Sequence, residues 1–126
     1  MTIQRWQRSR AKGARQPENC RYCGRGTVYG NDYVVVKVKG GFKVRNYFSL
    51  FAEPTVYTTR YDANKRAVDL HAQEFEKRTL HDRGLIARVK KDLGRYKFLS
   101  CFCPLTLPCH VDFLIKIVNR PEVFLT

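Results

Sequence analysis

The sequence lacks the features that mark a membrane or secreted protein. It contains no run of about 18 apolar residues, which is the length that a membrane-spanning helix needs. Its opening, MTIQRWQRSRAKGARQ, has no apolar middle of the kind that a secretion signal carries. We therefore expect a cytoplasmic protein without a membrane partner.

Acidic residues are also scarce. The chain of 126 residues has 24 Lys and Arg against 11 Asp and Glu, which gives a net charge of +13. Such an excess favours a polyanionic partner, and a nucleic acid or a nucleotide is the first candidate. The alternative is a solvated surface that happens to be basic. An acidic membrane surface is disfavoured because the chain has neither a long basic amphipathic helix nor a lipidation signal.

Five cysteines, an odd number in a chain with no secretion signal, predict free thiols or metal ligands rather than disulfides. The length suits one domain with one core. We interpret residues 1–19 as a flexible basic arm and residues 20–126 as a single α/β domain.

The basic arm has one acidic residue, Glu18, while Gly13 and Pro17 interrupt any helical pattern. A basic arm gains affinity by neutralising phosphates, and Trp6 is expected either to stack on a base or to dock on the domain. A solvated tail with no partner is the alternative. The candidate phosphate-contacting residues of the arm are Arg5, Arg8, Arg10, Lys12 and Arg15.

Two β-branched and aromatic runs, residues 33–39 and 42–50, predict a β-hairpin around Gly40 and Gly41. We expect a three-residue loop that pairs Val38 with Phe42 and Val36 with Val44, because a loop of the two glycines alone leaves neither face apolar. This register gathers a basic strip on the other face, which either contacts phosphates or is an ordinary solvated face. The strip consists of Lys37, Lys43 and Arg45.

The second half of the chain predicts helices around one buried strand. A short strand at residues 57–60 is followed by a helix that Asp62 caps, and a second helix over residues 82–93 ends at Gly94. The second helix exposes Arg88 and Lys91, two further candidate phosphate contacts. Residues 96–103 read as a buried strand, and a last helix runs from Cys109 to Asn119. Strand, turn and helix in this order are typical of an α/β fold.

A glycine-rich loop at residues 22–31 is the first candidate site. Its glycines let backbone amides approach an anion, and Arg25 can hold a phosphate or carboxylate bidentately. The spacing matches neither the Walker pattern nor the dinucleotide fingerprint, so a turn-rich connection is the alternative. The candidate ligand-binding residues are Gly24, Arg25, Gly26, Thr27, Tyr29, Gly30 and Asn31.

The segment CFCPLTLPCH, residues 101–110, is the second candidate site. Cys101, Cys103, Cys109 and His110 form a candidate tetrahedral zinc site, to which an earlier pair, Cys20 and Cys23, is a further source of thiol ligands. Alternatively, Cys109 and His110 are candidate catalytic residues, since a helix N-terminus lowers the pKa of a thiol and a histidine beside it can act as acid or base. A third interpretation makes the cysteines small core residues and His110 a cap.

These two segments resemble the ends of a poorly characterised bacterial and phage family, domain-of-unknown-function family 4326. Its members pair an opening Y-x-G-R-x-S/T-x-W/Y-G-N-P-F with a closing C-W-C-x-P-x-P-C-H-x-D-x-L. The opening corresponds here to Tyr22, Gly24, Arg25, Thr27, Tyr29, Gly30 and Asn31, and the close to Cys101, Cys103, Pro108, Cys109, His110, Asp112 and Leu114.

The resemblance implies a small Rossmann-like domain in which the two motifs lie near each other at one sheet edge and form a nucleotide or nucleobase pocket. This chain departs from the family pattern in having Asp32 and Tyr33 in place of Pro and Phe, a longer basic hairpin and a basic arm, and these departures favour a polymeric ligand. Cys23 stands where relatives often have an aliphatic residue, which favours a core role for it.

Three functions follow as hypotheses. The first is a phage-type basic nucleic-acid-binding protein that contacts phosphates through the arm, the hairpin and the second helix. The second is an enzyme acting on nucleotides or nucleobases, by glycosidic-bond cleavage or base modification, with Arg25 holding phosphate. The third is a small host-takeover protein that binds a host protein through exposed Phe and Tyr residues. A phage-encoded protein would act in the host cytoplasm.

Overall fold

The computed structural model describes residues 2–120, and residues 121–126 of the predicted domain lie outside this range. The elements are β1 (Gln4–Gln7), β2 (Cys20–Tyr22), β3 (Tyr33–Val38), β4 (Gly41–Asn46), α1 (Arg60–His81), α2 (Leu85–Leu93), β5 (Phe98–Cys101) and α3 (His110–Asn119). This order confirms a small mixed α/β domain with a β-hairpin. Within residues 2–120, no helix combines the length and the apolar character that crossing a bilayer requires.

A three-stranded parallel sheet forms the centre of the fold. Its order is β1-β5-β2, so that β5 pairs on both edges. Leu99 and Ser100 of β5 are fully buried, as expected for a central strand with covered faces. Leu93 of α2 and two α3 residues, Leu114 and Ile117, pack in the same core. A Rossmann-like arrangement of the sheet stays a prediction.

The expectation of a flexible arm is wrong for the residues around β1. Ile3 is buried in the core, and the Gln4 and Arg8 amides donate to the carbonyls of Lys97 and Cys101, at 3.0 and 2.7 Å. Trp6 docks edge-on against Phe98, with ring centroids 5.9 Å apart. The physical reason is the open edge of β5, whose backbone groups need partners. Residues 8–19 carry no helix or strand.

The predicted hairpin register is also wrong. The turn is the two-residue segment Lys39-Gly40, and Val35 pairs with Val44 while Val36 pairs with Lys43. This register puts Val35 and the fully buried Val44 against α1. Glycine is required at position 41, the first residue of β4, because a Cβ there would lie 2.1 Å from the Tyr57 carbonyl oxygen, and its φ is +153°.

The basic strip predicted on the hairpin is therefore divided. Lys43 and Arg45 share one face, whereas Lys37 pairs with Phe42 on the face that packs against α1. The short strand predicted at residues 57–60 is a single bridge between Phe42 and Tyr57, and Arg60 is already helical.

Helix α1 is capped by Thr59 rather than by Asp62. The Thr59 hydroxyl accepts a hydrogen bond of 3.1 Å from the Asp62 amide, and the Asp62 carboxylate lies in the first turn, where it complements the helix dipole. Helix α2 begins at Leu85 and has Gly94 as its C-cap, while α3 begins one residue after Cys109.

Candidate functional site

The three parallel strands all end at one edge of the central sheet. From the carboxyl end of β1 the chain continues to Arg8 and Arg10, from β2 to the glycine-rich loop, and from β5 to the cysteine-containing turn. Ligands of open parallel sheets bind outside the carboxyl ends of the strands, so this edge is the natural place for a site.

A cleft of about 500 Å³ opens at this edge, between the sheet and the hairpin. It is lined by residues of both motifs, which confirms that the motifs adjoin each other. We call it the arginine cleft, because Arg10, Arg25 and Arg60 line it and no Asp or Glu among residues 2–120 does. Its other lining residues include Tyr22, Gly24, Gly26, Asn31, Asn64, Cys101, Phe102, Cys103, Cys109 and His110.

The three arginines of the cleft rest on aromatic rings rather than on carboxylates. The Cζ atoms of Arg10, Arg25 and Arg60 lie 4.0, 4.9 and 4.9 Å from the ring centroids of Phe102, Tyr47 and Phe42, respectively. Among residues 2–120, none of the three has an ion-pair partner. A guanidinium stacked in this way keeps its N–H edge for an anion.

The glycine-rich loop is a closed turn. The Thr27 hydroxyl donates to the Gly24 carbonyl at 2.8 Å, and the Gly30 amide donates to the Thr27 carbonyl at 3.1 Å. Gly24 has no room for a side chain, because a Cβ there would lie 2.3 Å from the Tyr22 hydroxyl oxygen. Thr27 therefore stabilises the loop instead of facing a ligand.

Two other predicted ligand-binding residues make internal contacts. The Tyr29 hydroxyl donates to the Asp92 carboxylate at 2.5 Å, and the Asn31 side-chain amide donates to the Ala67 carbonyl at 3.1 Å. Asn31 still lines the cleft, whereas Tyr29 and Gly30 line a second cavity. Of the seven predicted residues, the cleft is lined by Gly24, Arg25, Gly26 and Asn31.

Three of the four predicted metal ligands lie together. The Sγ atoms of Cys101, Cys103 and Cys109 are all within 4.8 Å of one another, and those of Cys101 and Cys109 are 2.8 Å apart. Hydrogen bonds from Cys101 and Cys109 lower the pKa of Cys103. The contact with Cys103 raises the pKa of Cys101, and the contacts with Cys101 and Cys103 raise the pKa of Cys109. This group of thiols, the cysteine cluster, can hold a metal ion.

His110 lies beside the cysteine cluster and not within it. Its Nε2 donates to the Cys23 carbonyl at 2.6 Å, and its Nδ1 is 3.6 Å from the Cys109 Sγ. Burial lowers the pKa of His110, so the ring is neutral. Cys23 is fully buried in the core, in agreement with the role expected for it. The pKa of the Cys109 thiol is raised, and the Cys23 carbonyl occupies one His110 nitrogen. A catalytic role for this pair stays a prediction.

Arg5, predicted to contact phosphate, instead ties down the cysteine-containing turn. Its guanidinium donates to the Asp112 carboxylate at 2.8 Å and to the Pro104 carbonyl at 2.9 Å, and its side chain is 8% exposed. The Asp112 carboxylate also accepts from the Cys109 amide at 3.3 Å. An arginine of β1 thus joins both ends of the turn, and Arg5 is corrected to a structural residue.

The other predicted phosphate contacts are dispersed. Arg88 forms an ion pair with Asp82, and Arg45 donates to the Ser49 carbonyl at 2.7 Å. Arg8 lies with its Cζ 4.7 Å from the Tyr22 ring centroid, close to the cleft. The remaining predicted residues that are exposed are Lys12, Arg15, Lys37 and Lys91.

Two cleft residues, Arg60 and Phe102, were not predicted from the sequence. The available signal for Arg60 was its position directly after a threonine that can cap a helix. A second cavity, of about 320 Å³, was not predicted either. It is lined by Tyr29, Asp32, His71, Glu74, Arg78, Arg88 and Asp92 among others.

Comparison with known proteins gives a family and no activity. A family model described as "Domain of unknown function (DUF4326)" matches residues 6–120. No curated protein and no solved structure matches the chain.

Proposed function

Because the chain belongs to the family described as "Domain of unknown function (DUF4326)", whose description gives no activity, we propose from the geometry that it binds a nucleotide in the arginine cleft. The phosphate lies among Arg10, Arg25 and Arg60, and the base lies beside Tyr22 and Phe102. The observation that carries this proposal is a cleft that is built from both motifs and lined, within the described part of the chain, by three arginines and no carboxylate.

The charge balance around the cleft supports an anionic ligand. Within residues 2–120, six arginines outside the cleft form ion pairs with carboxylates, for example Arg5 with Asp112 and Arg66 with Glu53, each at 2.8 Å. The cleft arginines have no such partner among residues 2–120, and three cations around one space repel each other. A phosphate group would relieve this repulsion and accept charge-assisted hydrogen bonds.

The aromatic rings of the cleft support a base as the second part of the ligand. Tyr22 and Phe102 pack edge to face with centroids 5.8 Å apart, and Arg8 and Arg10 lie against them. Aromatic rings flanked by arginines are the usual surface on which nucleobases stack. We therefore limit the proposed nucleic-acid contacts to residues at the cleft. Arg5 and Arg88 are no longer among them, because each is paired with an aspartate.

The test is calorimetric titration of the protein with nucleoside monophosphates and inorganic phosphate at low salt. Removing one charge-assisted hydrogen bond costs about 1.5 to 3 kcal/mol, so Arg25→Ala and Arg60→Ala should each weaken binding about 10-fold or more. Arg66→Ala is the matched control, since Arg66 is paired with Glu53 outside the cleft. Equal affinity in the Arg25 and Arg66 variants, or no binding by the wild type, would refute the proposal.

A second candidate function, zinc binding, is favoured by the cysteine cluster. Thiolates are preferred zinc ligands, and a site with three protein ligands leaves one position for water or a ligand. A bound zinc ion would replace the protons that the three thiols share, and it would supply a Lewis acid at the wall of the cleft. The N-terminus of α3, which follows Cys109, offsets part of the thiolate charge.

Elemental analysis and native mass spectrometry test this candidate. We expect one zinc ion per chain, and we expect Cys103→Ser to lose it. Cys20→Ser is the control, because Cys20 is partly exposed and lies outside the cysteine cluster. Equal metal content in the two variants, or no uptake after incubation with zinc chloride, would exclude a zinc site at the cluster.

A further inference from the structure

A turn directly after the hairpin holds aromatic and aliphatic side chains in solvent. Phe48, Leu50 and Phe51 are 79%, 91% and 82% exposed, and Tyr47 is 48% exposed. We call Tyr47, Phe48 and Phe51 the aromatic platform. Rings of this size are normally buried in folded domains, so a group of exposed rings indicates a contact surface.

Local hydrogen bonds fix the turn that carries the platform. The Phe48 amide donates to the Asn46 side-chain oxygen at 2.9 Å, and the Phe51 amide donates to the Ser49 hydroxyl at 3.1 Å. Arg45 donates to the Ser49 carbonyl at 2.7 Å. The rings are thus presented by a shaped turn, which lowers the entropy that a partner must remove on binding.

The platform is continuous with the arginine cleft. The Cζ atom of Arg25 lies 4.9 Å from the ring centroid of Tyr47, and the Tyr47 ring meets the Phe48 ring edge to face at 5.3 Å. The Tyr47 amide donates to the Asp32 carbonyl at 2.6 Å, which ties the platform to the segment after the glycine-rich loop. A chain that leaves the cleft past Arg25 therefore meets the platform next.

We propose that the aromatic platform stacks the bases next to the nucleotide held in the arginine cleft, so that the ligand is a single-stranded nucleic acid. This inference rests on the proposed function. The occupant follows from charge and continuity, since Arg25 and Arg45 are both basic neighbours of the platform and the chain carries +13. Single strands suit such a surface because their bases are free to stack on rings, whatever their sequence.

The experiment compares ligands of different length. Thymidine monophosphate and single-stranded hexathymidylate are titrated against the wild type, Phe48→Ala/Phe51→Ala and Leu80→Ala. Leu80 is the matched control, because it is 78% exposed and lies at the end of α1. Both phenylalanines are exposed, so the double variant should fold, and a thermal melt checks this.

We expect the wild type to bind the hexanucleotide about 10-fold or more tightly than the mononucleotide, given the usual gain from base stacking. Phe48→Ala/Phe51→Ala should remove most of this gain and leave the mononucleotide affinity within about 2-fold, while Leu80→Ala should change neither. A duplex of the same length should bind more weakly than the single strand.

The outcomes separate the platform from the cleft. If the mononucleotide binds and the hexanucleotide gains nothing, the platform proposal is overturned and the cleft proposal stands. If the mononucleotide fails to bind and Arg25→Ala has no effect on any ligand, the proposed function is refuted, and the platform proposal, which rests on it, is refuted with it. A third outcome is that the wild type captures a protein from nuclease-treated extract, that Phe48→Ala/Phe51→Ala abolishes this capture, and that the affinity for the hexanucleotide is unchanged. It would assign the platform to a protein partner and overturn the proposal.

Discussion

The arginine cleft and the second cavity meet at two histidines, the buried His110 and the partly buried His71, and they differ in the charged groups that line them. His110 lines the cleft and His71 lines the second cavity, with ring centroids 5.2 Å apart. In the second cavity, Tyr29 donates to Asp92 at 2.5 Å and Tyr33 donates to Glu74 at 2.6 Å. In the cleft, the charged groups are three arginines that have no carboxylate partner among residues 2–120.

This difference separates groups that stabilise the fold from groups that are available to a ligand. Arg88 also lines the second cavity, yet it pairs with Asp82, and Asp92 accepts from Arg95 at 3.2 Å. The second cavity is lined by both acidic and basic side chains, so it gains less from an anion than the cleft does. An arginine-lined cleft without carboxylates gains most from an anion, because the anion supplies the missing counter-charge.

The largest expected effect belongs to His71, on the side of the second cavity. Burial, reinforced by His110 and Arg78, lowers the pKa of His71 from 6.5 to about 4. The unfolded state then binds a proton more readily than the folded state, so stability present above pH 6.5 is lost as the pH falls toward 4. A difference of this size corresponds to at most roughly 3 kcal/mol in the free energy of unfolding.

Urea unfolding at pH 7 and pH 4.5 measures this loss in the wild type, in His71→Phe and in His81→Gln. We expect His71→Phe to lose less stability between the two pH values, and any constant cost of repacking against Phe113 cancels in the difference. His110 titrates in the same direction, so part of the loss remains. His81 is exposed at the end of α1. Equal losses in the two variants would show that His71 does not sense acid.

A smaller effect is expected from Asp92→Ala. The change leaves the Tyr29 hydroxyl, Arg21 and Arg95 without their shared acceptor, which should lower the free energy of unfolding by about 1 to 2 kcal/mol. Nucleotide affinity should stay within about 2-fold, because Asp92 does not line the cleft. Urea unfolding and calorimetric titration provide the two measurements, with the exposed Asp69→Ala as control. A loss of affinity as large as that of Arg25→Ala would contradict the comparison.

The sequence predicted best the elements whose signals are local. Helix α3 begins within one residue of its expected start, because a proline-bounded turn and an apolar helical stripe lie side by side in the chain. The β1 strand was missed because its only large apolar residue is Trp6, and its existence depends on the open edge of β5, far along the chain. The hairpin register depends on α1, where Ala63 and Ala67 admit Val44 into a shared cluster.

The candidate site divides in the same way. The family resemblance implied that the two motifs adjoin, and the cleft confirms it. The thiols of Cys101, Cys103 and Cys109 were expected to lie together, and they do. His110 instead donates to the Cys23 carbonyl, and this contact depends on packing between segments that are 87 residues apart. Spacing alone cannot distinguish a hydroxyl that faces a ligand from one that closes its own loop, as Thr27 does.

The smallest expected effect gives the sharpest comparison of paired and unpaired arginines. Arg66 makes two hydrogen bonds to Glu53, of 3.0 and 2.8 Å, with both side chains about one third exposed, so Arg66→Ala should cost about 0.5 to 1 kcal/mol of unfolding free energy. Arg60 is a cation in the first turn of α1, where the helix dipole opposes it, while its contact with the Phe42 ring is favourable. Because the two effects offset each other, Arg60→Ala should change stability by less than about 0.5 kcal/mol. Urea unfolding at low ionic strength measures both, and added salt should reduce both differences. If Arg60→Ala costs as much as Arg66→Ala, the cleft arginines stabilise the fold as the paired ones do, and the distinction between paired and unpaired arginines is lost.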